Sequence, residues 1–115
     1  MPTPTDLPAD LPFAVAAYFV AENAGGHAAM AACFDADAEV ADEGREHRGP
    51  AAIEAWARDA AAKYRHRVLL LDARREGGEC TVTARVSGDF PGSPLALRFR
   101  FTLRGAHIAR LQIQP

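Results

Sequence analysis

The 115-residue sequence has few of the residues that build metal sites, disulfide frameworks or nucleic-acid surfaces. Its two cysteines, Cys33 and Cys80, have no histidine or cysteine at metal-ligand spacing, so neither a zinc site nor a disulfide framework is indicated. The formal net charge is only -2, with 13 basic and 15 acidic side chains, which argues against a polyanionic partner. We therefore expect no metal, no cofactor and no nucleic acid.

Long hydrophobic runs and targeting signals are also missing. No run reaches membrane-spanning length. The first twelve residues, MPTPTDLPADLP, lack the basic and apolar regions of a secretory signal and contain four prolines. We interpret residues 1–10 as a flexible lead-in and residues 11–115 as a single domain, because this length suits one hydrophobic core. These features predict a cytoplasmic protein with no membrane partner.

Two helices are predicted near the start of the domain. LPFAVAAYFVAEN consists of strong helix formers and stops at a glycine pair, and HAAMAACF predicts a short second helix that ends at the acidic turn of residues 35–37. Apolar residues at helical spacing are Phe13, Ala16, Ala17 and Val20 in the first helix and Met30, Cys33 and Phe34 in the second. The pair is typical of a helical hairpin.

The segment DAEVADEGREHRG, from Asp37 to Gly49, predicts a short strand, a turn at Gly44 and an antiparallel return strand. If Ala38 and Val40 face the core, strand parity puts Asp42 on the same side, where a carboxylate is costly unless it is paired or functional. The alternative is an ordinary solvated turn acid, because Asp-Glu-Gly is common turn chemistry.

A third helix and a four-strand meander complete the prediction. AAIEAWARDAAAKY opens after a proline and carries Ile53, Trp56, Ala57, Ala60 and Tyr64 on one stripe. The strands are RVLLLDARRE, ECTVTARVSG, LALRFRFTLR and HIARLQIQ, whose alternation gives one apolar and one polar, arginine-rich face. We expect an α+β fold in which a curved antiparallel sheet wraps around three N-terminal helices to form a cone with a cavity.

The order of helix, helix, short hairpin, long helix and meander resembles the NTF2-like superfamily, also called SnoaL-like or ketosteroid-isomerase-like. The resemblance runs from about Phe13 to Ile113 and is most specific at Tyr18, at the Asn-Ala-Gly after it, and in CFDADAEVADEGREHRGPAAIEAW. It implies a cystatin-like α+β roll. This fold hosts isomerases, cyclases, dehydratases, hydrolases and binding modules, so function must be argued from the site.

The resemblance also implies site residues. Asp42 falls where ketosteroid isomerases carry their general base, and Tyr18 falls where they carry the tyrosine that donates to the developing enolate. His47, on the return strand, is a further candidate donor. The position of the family's second oxyanion acid is occupied by Phe99, which cannot donate a hydrogen bond. The alternatives are a packing role for Tyr18 and an exposed hairpin position for His47.

These patterns lead to two hypotheses of different classes. The first is a cofactor-free isomerase, cyclase or dehydratase in which Asp42 takes a proton next to the carbonyl of an apolar ligand. The second is a non-catalytic ligand-binding or dimeric accessory module. In both, the residues expected to line the cone are Trp56, Tyr64, Phe34, Phe99 and Phe101. By analogy we also expect a homodimer through the outer sheet face. A cone filled by its own side chains would leave a purely structural protein.

Overall fold

The computed structural model describes residues 11–115, and the lead-in expected over residues 1–10 lies outside this range. Its helices are α1 Phe13–Ala24, α2 His27–Ala31 and α3 Pro50–Tyr64, and its strands are β1 Phe34–Asp42, β2 Arg45–Arg48, β3 Arg67–Glu76, β4 Glu79–Ser87, β5 Leu95–Arg104 and β6 His107–Gln114. Within the described range, no helix is long and apolar enough to cross a membrane.

The strands form one six-stranded sheet in the order β2-β1-β6-β5-β4-β3. The α+β class and the meander from β3 to β6 are confirmed. The sheet is mixed rather than wholly antiparallel, because β1 pairs in parallel with β6 through Val40 and Leu111. This pair joins segments some 70 residues apart in sequence. Whether the two strands run parallel or antiparallel depends on the path of the chain through α3 and the meander. Residue alternation within each strand does not determine it.

Alternation along the meander gives the sheet the two faces that the sequence predicts. On β5, Phe99 and Phe101 are buried while Arg98 and Arg100 between them are exposed. On β4, Val82 and Ala84 are fully buried on the same side. Successive side chains of a strand point to opposite faces, so these residues form the floor on which the helices pack.

The apolar stripe predicted for the first helix is not its buried face. Phe13 and Val20 are 87% and 60% exposed, whereas the buried side of α1 consists of Ala14, Val15, Tyr18, Phe19 and Ala21. Nearly all of this helix is apolar, so its sequence contains a strong helix signal with almost no information on which side packs. The sheet, with its own aromatic residues, selects the face that carries Tyr18 and Phe19.

The second helix is shorter than its sequence suggests. It ends at Ala31, and Phe34, expected on the helix, is the first residue of β1 and pairs with Ile108 of β6. The Ile108 amide donates to the Cys33 carbonyl at 2.9 Å. Residues 35–37 are strand rather than a turn. Pairing with β6 supplies hydrogen-bond partners for the backbone here and overrides the local helix propensity of an alanine-rich segment.

The end of α1 is tied to the start of β3 by one amide side chain. Asn23 donates from Nδ2 to the Val68 carbonyl at 2.8 Å and accepts at Oδ1 from the Val68 amide at 2.9 Å. The helix then stops at Gly25, whose φ of 72° is the left-handed conformation that glycine adopts readily. This two-bond link sets the position of the last turn of α1 against β3.

Gly88, just after β4, offers a test of how tightly α3 is joined to the sheet. A Cβ at this position would lie 2.5 Å from the Tyr64 carbonyl oxygen and 2.9 Å from the His66 Cα, both backbone atoms that cannot move aside alone. We expect Gly88→Ala to lower the free energy of unfolding by about 2 kcal/mol, as overpacking does elsewhere. Chemical denaturation followed by circular dichroism measures it.

Gly78→Ala is the matched control, because a Cβ there meets nothing closer than 3.8 Å. We expect it to change stability by less than about 1 kcal/mol. Equal effects of the two substitutions would show that the end of α3 and Gly88 are not held in close contact.

Candidate functional site

A cavity of about 540 Å³ lies between the helices and the inner face of the sheet. Its apolar wall includes Trp56 and Tyr64 of α3, Phe99 of β5 and Phe90 of the β4–β5 loop. Its polar groups come from α1, α2, the end of β1 and the turn after it, the residue before β3, and the end of β6. The cone is therefore not filled by its own side chains, which argues against the purely structural alternative, and its volume suits a small organic molecule.

Three of the five residues expected to bind an apolar ligand line this cavity. They are Trp56, Tyr64 and Phe99. Phe34 and Phe101 are instead buried in the core behind the wall, with ring centroids 6.0 and 5.3 Å from that of Tyr18. The sequence identified the apolar face of the sheet but could not show which part of that face the helices cover.

Asp42 is the last residue of β1, and its side chain lines the cavity. Ala38 and Val40 are fully buried on the same side of the strand, as the parity argument requires. Asp42 Oδ2 accepts a hydrogen bond of 3.1 Å from Trp56 Nε1. Burial raises the pKa of the Asp42 carboxyl above its ordinary value, the Trp56 bond partly opposes this, and the charge of Glu43 adds to it. Asp42 is therefore a partly desolvated carboxylate that the Trp56 indole keeps in position.

Tyr18 is fully buried, and its ring packs edge-on against Phe19 and Phe101 at centroid distances of 5.0 and 5.3 Å. Tyr18 is not among the residues that line the cavity. Burial raises the pKa of the hydroxyl most, and the negative charge of Glu22, a hydrogen bond with the Glu22 side chain and the charge of Asp42 raise it further. The hydroxyl therefore lies beside the Glu22 carboxylate, behind the cavity wall.

His47 lies on β2, opposite Val40, and is not part of the cavity wall. Its ring centroid is 6.0 Å from that of Trp56, at an interplanar angle of 32°. When it is protonated, its charge lowers the pKa of Asp42. The structure thus places His47 against the wall residue that holds Asp42 and outside the space that a ligand would occupy.

The structure adds a pair that the sequence did not reveal. Glu22 of α1 and His66, just before β3, both line the cavity, and His66 Nε2 lies 2.9 Å from Glu22 Oε1. This bond raises the pKa of His66 above its ordinary value, against the effect of burial. The residues are 44 positions apart, but a local signal existed. Glu22 is the one charged residue of α1 and lies four positions after Tyr18, on the same helix face.

A second tyrosine and glutamate contact each other at the cavity. Tyr64 donates from its hydroxyl to Glu43 Oε1 at 2.9 Å, joining the end of α3 to the turn after β1.

Across residues 11–115, no group of three or more histidine, cysteine or acidic side chains is arranged to hold a metal ion. The arrangement offers carboxylates, each with a different neighbour, facing an aromatic wall.

Several solved structures have the same fold. A candidate polyketide cyclase from Sinorhizobium meliloti is 40% identical, covers 91% of this chain and 96% of its own, and has a TM-score of 0.89. A protein with a ketosteroid isomerase-like fold from Catenulispora acidiphila, in complex with trimethylamine, is 24% identical over 90% of this chain and 85% of its own, with a TM-score of 0.81. A candidate polyketide cyclase from Pseudomonas putida is 22% identical over 90% of each chain, with a TM-score of 0.67.

The two relatives below 25% identity support the fold alone. No curated protein has a significant match to the sequence. The sequence model of the SnoaL-like domain matches residues 15–112, nearly the whole described range. The resemblance inferred from the order of elements is therefore confirmed, and this chain belongs to the SnoaL-like domain family.

Proposed function

We propose that the protein is a cofactor-independent enzyme that binds a small apolar carbonyl compound and removes a proton from the carbon next to the carbonyl. The observation that carries this proposal is the position of Asp42. A partly desolvated carboxylate, held by the Trp56 indole at 3.1 Å, faces an aromatic-walled cavity of about 540 Å³. The 40% identical relative, a candidate polyketide cyclase, supports chemistry at carbonyl compounds.

Asp42 has the environment that a general base requires. A carboxylate with its ordinary pKa is a weak base at neutral pH, and desolvation raises both its pKa and its basicity. The Trp56 bond acts in the opposite direction and keeps the carboxylate ionised and oriented. In this proposal, burial supplies the basicity of Asp42 and Trp56 supplies its geometry.

Tyr18 is the proposed donor to the oxygen on which negative charge develops. Its hydroxyl is enclosed behind the cavity wall beside Glu22, so a ligand oxygen reaches it only when the Glu22 side chain turns aside. His47 lies outside the wall, so we assign it an influence on the charge of Asp42 and no contact with the ligand.

The alternative is a binding module without catalysis, and Phe99 favours it. Phe99 lines the cavity at the position where ketosteroid isomerases carry their second oxyanion acid. It offers only an apolar ring and cannot donate a hydrogen bond to an enolate.

Dimerisation through the outer sheet face remains a prediction. Arg98 and Arg100 are exposed on that face and available to a second copy.

Replacing the base tests the proposed chemistry directly. We expect the wild-type protein to catalyse deuterium incorporation next to the carbonyl in members of a panel of cyclic ketones and 1,3-diketones, followed by NMR in D₂O. Asp42→Asn keeps the size of the side chain and its acceptor for Trp56 but removes the base. Its exchange rate should fall by about 100-fold or more.

Asp59→Asn is the matched control, because Asp59 is exposed on α3 and does not line the cavity. Its exchange rate should equal that of the wild type. Exchange that is unaffected by Asp42→Asn would exclude Asp42 as the base, and tight ligand binding without any exchange would favour the binding module.

The indole bond to Asp42 predicts a change in pH dependence. Trp56 donates to the ionised carboxylate and so lowers its pKa, opposing burial. Trp56→Phe keeps an aromatic wall but removes this donor, so the pKa of Asp42 should rise further. The acid limb of kcat/KM for exchange, where Asp42 becomes protonated as the pH falls, should then move to higher pH. An acid limb at the same pH in both proteins would mean that this bond does not control the titration.

A further inference from the structure

Glu22 and His66 form the most deeply enclosed ion pair of residues 11–115. Their side chains are 8% and 14% exposed, whereas every other ion pair in this range has a partner that is at least 36% exposed. Both residues line the cavity. Taking two charges out of water is costly, and their attraction repays this cost only when the geometry is good. A pair of this kind in the wall of a candidate site therefore needs an explanation.

Backbone contacts on both sides fix the position of the pair. Asn23, next to Glu22, is joined to Val68, two residues after His66, by two hydrogen bonds of 2.8 and 2.9 Å. The backbone of His66 packs against Gly88, where a Cβ would lie 2.9 Å from the His66 Cα. The 2.9 Å contact between His66 Nε2 and Glu22 Oε1 thus joins two residues whose main chains are already held. The pair is preorganised rather than formed by two free side chains.

The surroundings of His66 favour a positive charge on its ring. The bond to Glu22 raises the pKa of His66 most, burial acts against it, and the charges of Glu22 and Asp42 and a backbone hydrogen bond with Ala60 raise it further. No Lys or Arg lies among the described residues of the cavity wall. His66 is therefore the wall residue whose contacts stabilise a cation.

A positive charge on the wall has a use in the proposed reaction, and this inference rests on the proposed function. When Asp42 takes the proton, the electron pair of the C–H bond moves into an enolate, whose oxygen becomes negative. Glu22 and Glu43 line the same cavity, and their charges raise the energy of an enolate there. We propose that His66 stabilises the enolate oxygen by its charge and keeps its own proton throughout the reaction.

Glu22 is then a positioning residue for His66. Together the two side chains carry nearly balanced charges. Loss of the His66 proton leaves the Glu22 carboxylate beside the enolate without a counter-charge, so one proton changes the charge next to the oxygen by a full unit. A unit charge at this depth should alter the affinity for an enolate about tenfold.

Ligand binding tests this charge without depending on turnover. The two probes share a ring skeleton: 5,5-dimethylcyclohexane-1,3-dione, an enolate at neutral pH, and 3,3-dimethylcyclohexanone, which is neutral. Isothermal titration calorimetry measures both affinities from about pH 6.5 to about pH 9. His66 is protonated below its raised pKa and loses the proton as the pH rises through it. The affinity of the wild-type protein for the enolate should fall about tenfold over this range, while its affinity for the ketone stays constant.

Histidine variants identify the group that titrates. His66→Gln keeps a donor for Glu22 but carries no charge, so it should weaken enolate binding about tenfold at the low end of the range, abolish the pH dependence and spare ketone binding. His107→Gln is the matched control, because His107 is exposed and does not line the cavity. It should behave as the wild type does.

The other titratable groups of the cavity wall must be separated from His66. They are His27 on α2, Asp42 and Glu43 at the end of β1, and Tyr64 on α3. His27 is the second histidine of the wall, and His27→Gln should keep the fall in enolate affinity with pH, whatever it does to overall affinity.

Glu22→Gln tests the positioning role. The charged acceptor is gone in this variant, so an NMR titration of the His66 ring should show a lower pKa than in the wild type. The pH at which enolate affinity falls should move down with it. Glu43→Gln is the matched control, because Glu43 accepts from Tyr64 instead. It should leave the titration of His66 nearly unchanged.

An enolate affinity that does not change with pH in the wild-type protein would overturn the proposal. So would a failure of the enolate to bind, or a pH dependence that His66→Gln leaves intact. Ketone hydrogen exchange that His66→Gln does not slow would exclude this role for His66 and leave the proposed function standing. Enolate binding that depends on His66, in a protein that exchanges no ketone hydrogen, would leave the charged site standing and exclude the proposed enzymatic function.

Discussion

The parallel pairing of β1 with β6 is the constraint on which the site depends. It places Val40 beside Leu111, both fully buried, and so inserts the N-terminal hairpin into a sheet whose remaining strands come from the C-terminal half. Asp42 reaches the cavity because β1 runs in this register and direction. The same pairing shortens α2. The cavity lies between α3 and the apolar face of the sheet.

The polar part of the cavity is built from three carboxylates, each with its own neighbour. Asp42 accepts from Trp56, Glu43 accepts from Tyr64, and Glu22 contacts His66. None of the described residues that line the cavity is Lys or Arg. A site with this charge disfavours anionic ligands, so a neutral apolar molecule with a few oxygen functions suits it best.

Strand parity and helical periodicity were sufficient to predict the meander and the stripe on α3, and parity favoured an inward Asp42 while a solvated turn position stayed open. Each of these elements has polar residues on one side and apolar residues on the other, which fixes its orientation. Helix α1 lacks that contrast, so the sequence indicated a helix but not that Tyr18 and Phe19 form its buried side. The Glu22–His66 pair joins α1 to the residue just before β3, 44 positions away. Such a contact depends on the packing angle of α1, which the Asn23 link to Val68 helps to set.

The contact between Gly88 and the end of α3 has a consequence for how members of this fold can diverge. The Asp89 amide donates to the Tyr64 carbonyl at 2.6 Å, which fixes the start of the loop that carries Phe90 and Pro91 into the cavity wall. The groups proposed for proton transfer and for donation to the developing oxyanion belong to β1 and α1. In the proposed function, this loop would help to shape the ligand while β1 and α1 would carry the reaction, so a change in the loop would alter one without the other.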